Sequence, residues 1–484
     1  MTKTARFIAL LFGFSSAFIL LAGDLNFADP ARQQPVPAGA LGYPSRNAGM
    51  DVLPGFRTPP SGYGEVPFYW WQGDPLTKER LSWELDQLKD RHITALQINY
   101  AHSDMGGQKF GLTYPSEPPL FSESWWELFG WFLKEARKQG MAVSLSDYTL
   151  GWPGQGWYFD DILKETPEVH GSALKHVSKE CGGGQLCTWD LAADPISVVG
   201  YRKDGASLDA KSATDLRQYT SGRAFRWTPP RDDWHVIAVY AAAKPASIDP
   251  MHPLSGRQMI AKFFQPFEDR NPGEGGRGLN FFFSDELDFC IRGWLWNKYF
   301  AAEFQKRKGY DIIPELPALF EDVGPRTPKV RLDYSDVMVS LEEENYFRPL
   351  YEWHRSRGMM YGCDHGGRGR DITEFGDYFR TQRWMTAPGN DQPNLNADVI
   401  KNKVASSIAH LYERPRTWLE GYHSSGWGTS SADVTDATWR NFAMGHNLLT
   451  LHGLYYSTHG GWWEWAPPCN HFRMPYWQHM SEFL

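Results

Sequence analysis

Cysteine is scarce in this chain, with 5 in 484 residues and none at a spacing that resembles a zinc site. Cys181 and Cys187 bracket Gly-Gly-Gly-Gln-Leu and suit a small disulfide loop, which points to an oxidising compartment; the sequence leaves the pairing of Cys290, Cys363 and Cys469 open. Basic charge is also in short supply. Lys and Arg number 49 against 57 Asp and Glu, a net charge of −8, so the basic face that a nucleic acid requires is not expected. No Asn-x-Ser/Thr sequon occurs, and no Gly-x-Gly-x-x-Gly turn follows the first predicted strand, which argues against an open dinucleotide-binding sheet. One apolar run stands out, Phe7–Leu21, behind Lys3 and Arg6 and ahead of Ala22-Gly23-Asp24. It reads as a signal peptide over residues 1–23, with a signal anchor as the alternative, and gives the expectation of a secreted, extracellular protein. Nothing later is apolar for long enough to cross a bilayer, so no membrane contact is expected beyond that peptide. Residues 24–60, rich in Pro, Ala and Gly, read as a flexible leader.

Aromatic residues, by contrast, are abundant: 22 Trp, 22 Tyr and 29 Phe, or 15% of the chain. Such rings fill cores, and they also stack on the apolar faces of sugars. The remaining chain alternates strand-like and helix-like patterns. Strands are predicted at Val66–Trp70, Ile93–Asn99, Met141–Ser146, Leu279–Ser284, Met359–Cys363, Arg383–Met385 (the weakest), Thr417–Glu420 and Leu448–His452. Helical patterns follow them: one capped by Thr77, one from Ser122 to Gln139, and others over Ser255–Arg270, Trp294–Lys308, Asp333–Ser356, Asn396–Tyr412 and Val434–His446. Short alternating runs between Gly171 and Ala242 suggest a small β-rich insertion after the third strand. This tally predicts an α/β fold, a (β/α)8 TIM-type barrel, with residues 61–170 as its first part, 171–242 as the insertion and 243–484 as its second part.

In such barrels chemistry sits at the C-terminal ends of the strands. Trp70 and Trp71, Asn99 and His102, Asp147 and Tyr148, Asp285 and Glu286, Asp364 and His365, Glu420 and His423, and His452 all fall there. Several acids converging on one rim imply a task or a cation, because clustered like charge is unfavourable without one. Glu286 follows Phe281-Phe282-Phe283-Ser284, an apolar wall that could keep a carboxyl protonated; a structural role beside Arg292 is the alternative. Glu420 follows Trp418-Leu419, with a salt bridge to Arg414 or Arg416 as its alternative. A pair of carboxyls flanking a bond is what glycoside cleavage requires. Trp463, within Trp462-Trp463-Glu464-Trp465, would add a sugar-stacking wall.

Phe68-Tyr69-Trp70-Trp71, the helix Ser122–Phe129, Phe283–Glu286, Phe304–Asp311, Lys403–His410, Leu419-Glu420-Gly421, Gly445-His446-Asn447 and Leu451-His452-Gly453 together resemble glycoside hydrolase family 106, the α-L-rhamnosidases. The resemblance runs from about Pro67 to the end of the chain. It implies a (β/α)8 catalytic domain, an inverting reaction, Glu286 as general acid and Glu420 as general base, and a calcium ion near the sugar. Ligands for that ion do not carry over; Asp147, Asp285 and Asp364 match only as oxygen donors. The Asp285-Glu286 run stands where family members carry Ser-Trp-Glu or Ser-Tyr-Glu, and Tyr361–Pro393 has no family counterpart, which puts the sugar in question.

The expected function is removal of a terminal α-linked L-rhamnose, or a similar deoxy-sugar, from a glycan or glycoside. The alternatives are a carbohydrate-binding barrel without activity and a glycosidase of other specificity. The last residues, Pro475–Leu484, run in helical register without a capping signal, which gives the expectation of a chain cut short.

Overall fold

The structure is a computed structural model that describes residues 65–99, 117–145, 157–365, 369–395, 398–414, 416–460, 464, 466–469, 472 and 474–483. The expected signal peptide and leader lie outside these residues.

Among the described residues, nine parallel strands form two sheets. The first runs in the order β16 (Leu454–Tyr455), β1 (Phe68–Trp70), β2 (Ala95–Asn99) and β3 (Ala142–Leu145). The second runs β11 (Phe281–Leu287), β12 (Tyr361–His365), β13 (Ala387–Gln392), β14 (Trp418–Gly421) and β15 (Leu448–Leu451). Backbone hydrogen bonds reach across both gaps between them. Asn280 N–H donates to Val143 O at 2.9 Å, and Val66 N–H donates to Leu449 O at 3.0 Å. The sheets therefore curl around a common interior.

Strand periodicity sets what fills that interior. Phe68 and Trp70 from β1, Ala95, Ala142, Phe282 and Phe283, Ala387, Trp418, Leu448 and Tyr455 form one buried cluster. Their neighbours Tyr69, Trp71, Leu96, Ile98, Val143, Leu419, Leu449 and Leu451 pack outward against the helices. Where large rings enter, the adjacent strands give way. A Cβ on Gly389 of β13 would stand 2.0 Å from the Trp418 indole, and one on Gly362 of β12 would stand 2.3 Å from Phe282 O.

Most helices begin and end close to the predicted bounds, while the one expected over Asp333–Ser356 starts earlier, at Thr327. Lys78–Lys89 is capped by Thr77, whose hydroxyl accepts from Arg80 N–H, and Glu123–Lys138 is capped by Ser122. Ser255–Arg270 and Thr327–Ser356 each contain a π turn, at Ile260–Phe264 and Glu343–Phe347. Asp398 caps Val399–Leu411, and a Ser430/Asp433 capping box opens Ser431–Met444.

Two predicted elements need correction. Residues 294–299 are not helical: Trp294 O accepts from Leu174 N–H and Trp296 N–H donates to Ser172 O, so tertiary pairing claims them and the helix is Phe300–Lys308. Nor do Arg383–Met385 form a strand. They follow the short helix Tyr378–Gln382, and the strand is the next segment, Ala-Pro-Gly-Asn-Asp-Gln. Its composition reads as a turn, yet it is buried at every position between β12 and β14.

The β-rich stretch expected over 171–242 forms antiparallel sheets. β4 (His170–Cys181), β6 (Ser197–Asp204), β7 (Ser207–Asp215) and β10 (Trp234–Ile248) make one; β5 (Cys187–Asp190), β8 (Thr220–Ser221) and β9 (Ala224–Trp227) make the other. Val199, Tyr201, Ile237 and Val239 face the main core, while Val198, Val236 and Ala238 face a smaller one with Phe225, Trp227 and the Cys181–Cys187 disulfide. The predicted disulfide loop is thus present.

Packing around Trp418 yields a test. Gly389→Ala is expected to destabilise the protein by about 1–3 kcal/mol through overpacking, read as a lower denaturant midpoint. An unchanged midpoint would show that the indole has room to move.

Candidate active site

Period-two alternation carries the inner face up to the strand ends. Beyond Gly362, Gly389 and Trp418, the next inward positions are Asp364 on β12, Asp391 on β13 and Glu420 on β14. Asp391 and Glu420 are direct register partners. A line of polar side chains thereby crosses the C-terminal rim of the second sheet, and each of these three is at least nine-tenths buried.

Glu286 joins this line from β11 by an irregularity in the ladder. Phe281, Ser284 and Leu287 pair with Tyr361, Cys363 and His365, so β11 gains a residue on β12 twice. The second bulge contains Glu286, whose backbone is left-handed at φ 45°. Bulges re-aim side chains and left-handed non-glycine residues are strained, and both features gather at working sites. The amide of Glu286 donates to Asp364 Oδ1 at 2.6 Å. Arg292, the structural alternative, is engaged by Asp288 at 2.8 Å and by Glu374 at 3.4 Å.

At the other end, Asp391 Oδ1 and His423 Nε2 are 2.6 Å apart, and His423 Nε2 stands 3.7 Å from Glu420 Oε1. Tyr422 and Ser424, both left-handed at φ 74° and 60°, turn the chain so that His423 folds back over β13. Lys401, itself buried, donates its ammonium to the Asp391 carbonyl. Of the two arginines weighed as partners for Glu420, Arg414 donates to Arg383 O and lies over Tyr351, and Arg416 acts on Glu65.

Burial dominates the electrostatics. It pushes the Asp364 carboxyl well above the usual carboxylate range, the charge of Asp391 adds to this, and Lys401 opposes it. His452 packs its ring 5.2 Å from that of His423 and is pushed down to about 3 by burial, with His423 contributing. Asn99, at the end of β2, is fully buried, and its side-chain amide has no hydrogen-bond partner among the described residues. An amide left in that state at a strand end is poised for a polar ligand or water.

Of the predicted site residues, Glu286, Asp364, Glu420, His423 and His452 come together, and Asn99 sits at the same strand-end level. Three others are corrected. Trp71 faces outward, 4.8 Å from Phe132 in the helical layer. Trp70 points inside, level with its register partner Asn99 and 5.9 Å from the His452 ring, but it is stacked on Tyr455 and fully buried, so neither indole presents an open face here. His365 also faces outward, with Nε2 2.8 Å from Thr381 Oγ1 and its ring among Phe347, Phe375 and Tyr378; burial pushes it down to about 3. In each case adjacent residues on a strand must point to opposite sides, and the rim reading had credited both. His102, Asp147, Tyr148 and Trp463, and the side chain of Asp285, lie outside the described residues. Asp391 was missed altogether, since its strand was misplaced.

The family model described as alpha-L-rhamnosidase matches residues 191–460, more than half of the chain. The chain belongs to glycoside hydrolase family 106. Among solved structures, a rhamnosidase from Novosphingobium sp. PP1Y superposes with a TM-score of 0.63 at 14% identity, covering 84% of this chain and 56% of that one. A putative beta-glucuronidase of Formosa agariphila is 20% identical over 85% of this chain. The chain spans 38% of that relative's length. The match to the rhamnosidase structure shows a shared α/β fold with a curled parallel sheet.

Neutral buried histidines generate a pH prediction. His354, His365 and His452 are each held near 3 by burial, against roughly 6.5 in an unfolded chain. Below that value the unfolded chain takes up protons that the folded one refuses. The stability that these three histidines contribute is therefore full above about pH 6.5 and falls as pH drops, by up to about 1.4 kcal/mol per pH unit for each group, while the buried carboxyls of Asp249 and Asp364 act with the opposite sign. Comparing denaturant midpoints of the parent and His365→Gln between pH 7 and 5 isolates the histidine share: the parent should lose stability relative to the variant as pH drops, and an identical pH course would contradict it.

Proposed function

We propose that this chain is the barrel portion of a secreted, inverting exo-α-L-rhamnosidase that removes a terminal rhamnose or similar deoxy-sugar. The observation that carries this reading is the placement of two buried glutamates, Glu286 and Glu420, at the C-terminal ends of β11 and β14 in a chain of this family. On this reading the two sheets close into a (β/α)8 barrel that carries the antiparallel unit as an insertion.

Glu286 protonates the leaving oxygen, helped by the phenylalanine-lined strand that precedes it. Glu420 draws a proton from the attacking water on the opposite face, and His423, braced by Asp391, holds its carboxylate. Three strand spacings separate β11 from β14, about 14 Å along the sheet. Curling of the sheet and the inward reach of both side chains would reduce this to the roughly 6.5–9.5 Å that leaves room for a water. Asn99 and His452 offer polar contacts to sugar hydroxyls.

Calcium, which the family resemblance implies, meets a specific obstacle. Among the described residues one cluster could hold a cation: Asp391, Glu420 and His423. Calcium prefers oxygen ligands throughout, and here the imidazole nitrogen is already committed to Asp391 at 2.6 Å. This cluster does not fit calcium. A calcium site would instead need a set of oxygen donors. Loss of turnover on chelation, restored by calcium alone, would support such a site; unchanged turnover would remove the ion from the proposal. Export draws support from the Cys181–Cys187 disulfide, since such bonds persist in oxidising compartments.

Glu286→Gln and Glu420→Gln should each lower kcat on p-nitrophenyl α-L-rhamnoside by roughly 10²–10⁴-fold. Proton NMR of the first-formed sugar should show the inverted anomer; the retained anomer would overturn the mechanism. A different sugar on the same scaffold is a second reading, favoured by the relative described as a putative beta-glucuronidase. Turnover of a nitrophenyl β-glucuronide in place of the rhamnoside would select it.

A further inference from the structure

Asp364 was expected at the rim as a sugar contact or a calcium-type oxygen donor, and the ladder between β11 and β12 gives it a different task. Between the paired positions Ser284–Cys363 and Leu287–His365, β11 holds two residues where β12 holds one. That one is Asp364, and one of the two is Glu286. A bulged residue loses its ladder partner, so its backbone amide needs an acceptor from elsewhere. The acceptor is Asp364 Oδ1, at 2.6 Å from Glu286 N. This is a short distance for an amide donor. Glu286 takes φ 45°, a left-handed conformation that a glutamate adopts only when its surroundings hold it there. Asp364 is fully buried.

We propose that Asp364 is the positioning residue that seats Glu286: by accepting its amide across the bulge, it locks the backbone turn that aims the Glu286 carboxyl at the leaving oxygen. The proposal rests on the reading of Glu286 as general acid. It predicts that Asp364 needs an acceptor oxygen at this place and does not itself touch the sugar. Its loss then resembles loss of the acid, and the penalty depends on how much protonation the leaving group needs.

The test uses aryl glycosides of the sugar that the protein cleaves, from phenyl to 2,4-dinitrophenyl, with Glu286→Gln, Asp364→Ala and Asp364→Asn in parallel. Asp364→Ala should lower kcat at least about tenfold on the phenyl glycoside and less than about threefold on the dinitrophenyl one, with KM little changed. Asp364→Asn retains a carbonyl oxygen for the amide and should stay within about threefold of the parent on both. If Asp364→Ala does not fold, Asp364→Ser, too short to reach the amide, takes its place. Equal losses across the series in the Ala or Ser variant would overturn the proposal, because a sugar contact or a general packing role does not discriminate between leaving groups. An Asn variant as impaired as Ala would overturn it as well. If Glu286→Gln itself loses activity equally on every aryl glycoside, the general-acid reading fails and this inference falls with it. Leaving-group dependence in Glu286→Gln but not in Asp364→Ala rejects the positioning role alone.

Discussion

Everything at the rim depends on how the narrow interior beneath it is filled. Phe283 and Trp418 meet with ring centroids 3.8 Å apart, and Phe68 stacks on Phe283 at 5.2 Å. These rings occupy the space that β12 and β13 leave by carrying Gly362 and Gly389. Interiors tolerate little change in volume, so large and small residues on facing strands fix one another's register. Register in turn fixes side: with Gly362, Gly389 and Trp418 on the inside, Asp364, Asp391 and Glu420 must also be inside, two residues further on. The apolar floor is what sorts the carboxylates onto one face.

A floor of this kind makes the polar layer above it costly to form and sensitive to detail. Asp364, Asp391 and Glu420 come from consecutive strands, so their charges would repel one another if each stood alone. The groups between them moderate this: Lys401 under Asp391, His423 between Asp391 and Glu420, and the Glu286 amide on Asp364. His452, kept neutral by its surroundings, adds a polar ring without another charge. The result is a line of alternating partners from β11 to β14, with a proposed catalytic carboxyl at each end.

Much of this was legible in the sequence, and the failures have physical causes. Caps at Thr77 and Ser122 stated the helix starts directly, because the hydroxyls that satisfy the first amides are local features. Most strands were legible from apolar runs. Glu286 and Glu420 were found because each follows such a run at a strand end. Ala387–Gln392 was not legible: a strand made of Pro, Gly, Asn, Asp and Gln has no propensity of its own and exists because its neighbours pair with it on both sides. Asp391 was lost with it. Trp70 and Trp71 were over-read for the opposite reason, since an aromatic pair signals either a core or a sugar platform and the strand's alternation sends one ring to each side of the sheet. The bulge at Glu286 leaves no mark in the sequence, because it exists only relative to β12.

Trp418 and Glu420 sit two residues apart on one short strand and point the same way. The indole that plugs the bottom of the interior and the carboxylate at its mouth are thus two teeth of a single rigid rod. A substitution chosen to fill or loosen the plug therefore bears on the same short strand that holds the carboxylate. The packing of the interior and the placement of that carboxylate are in this sense adjusted with one screw.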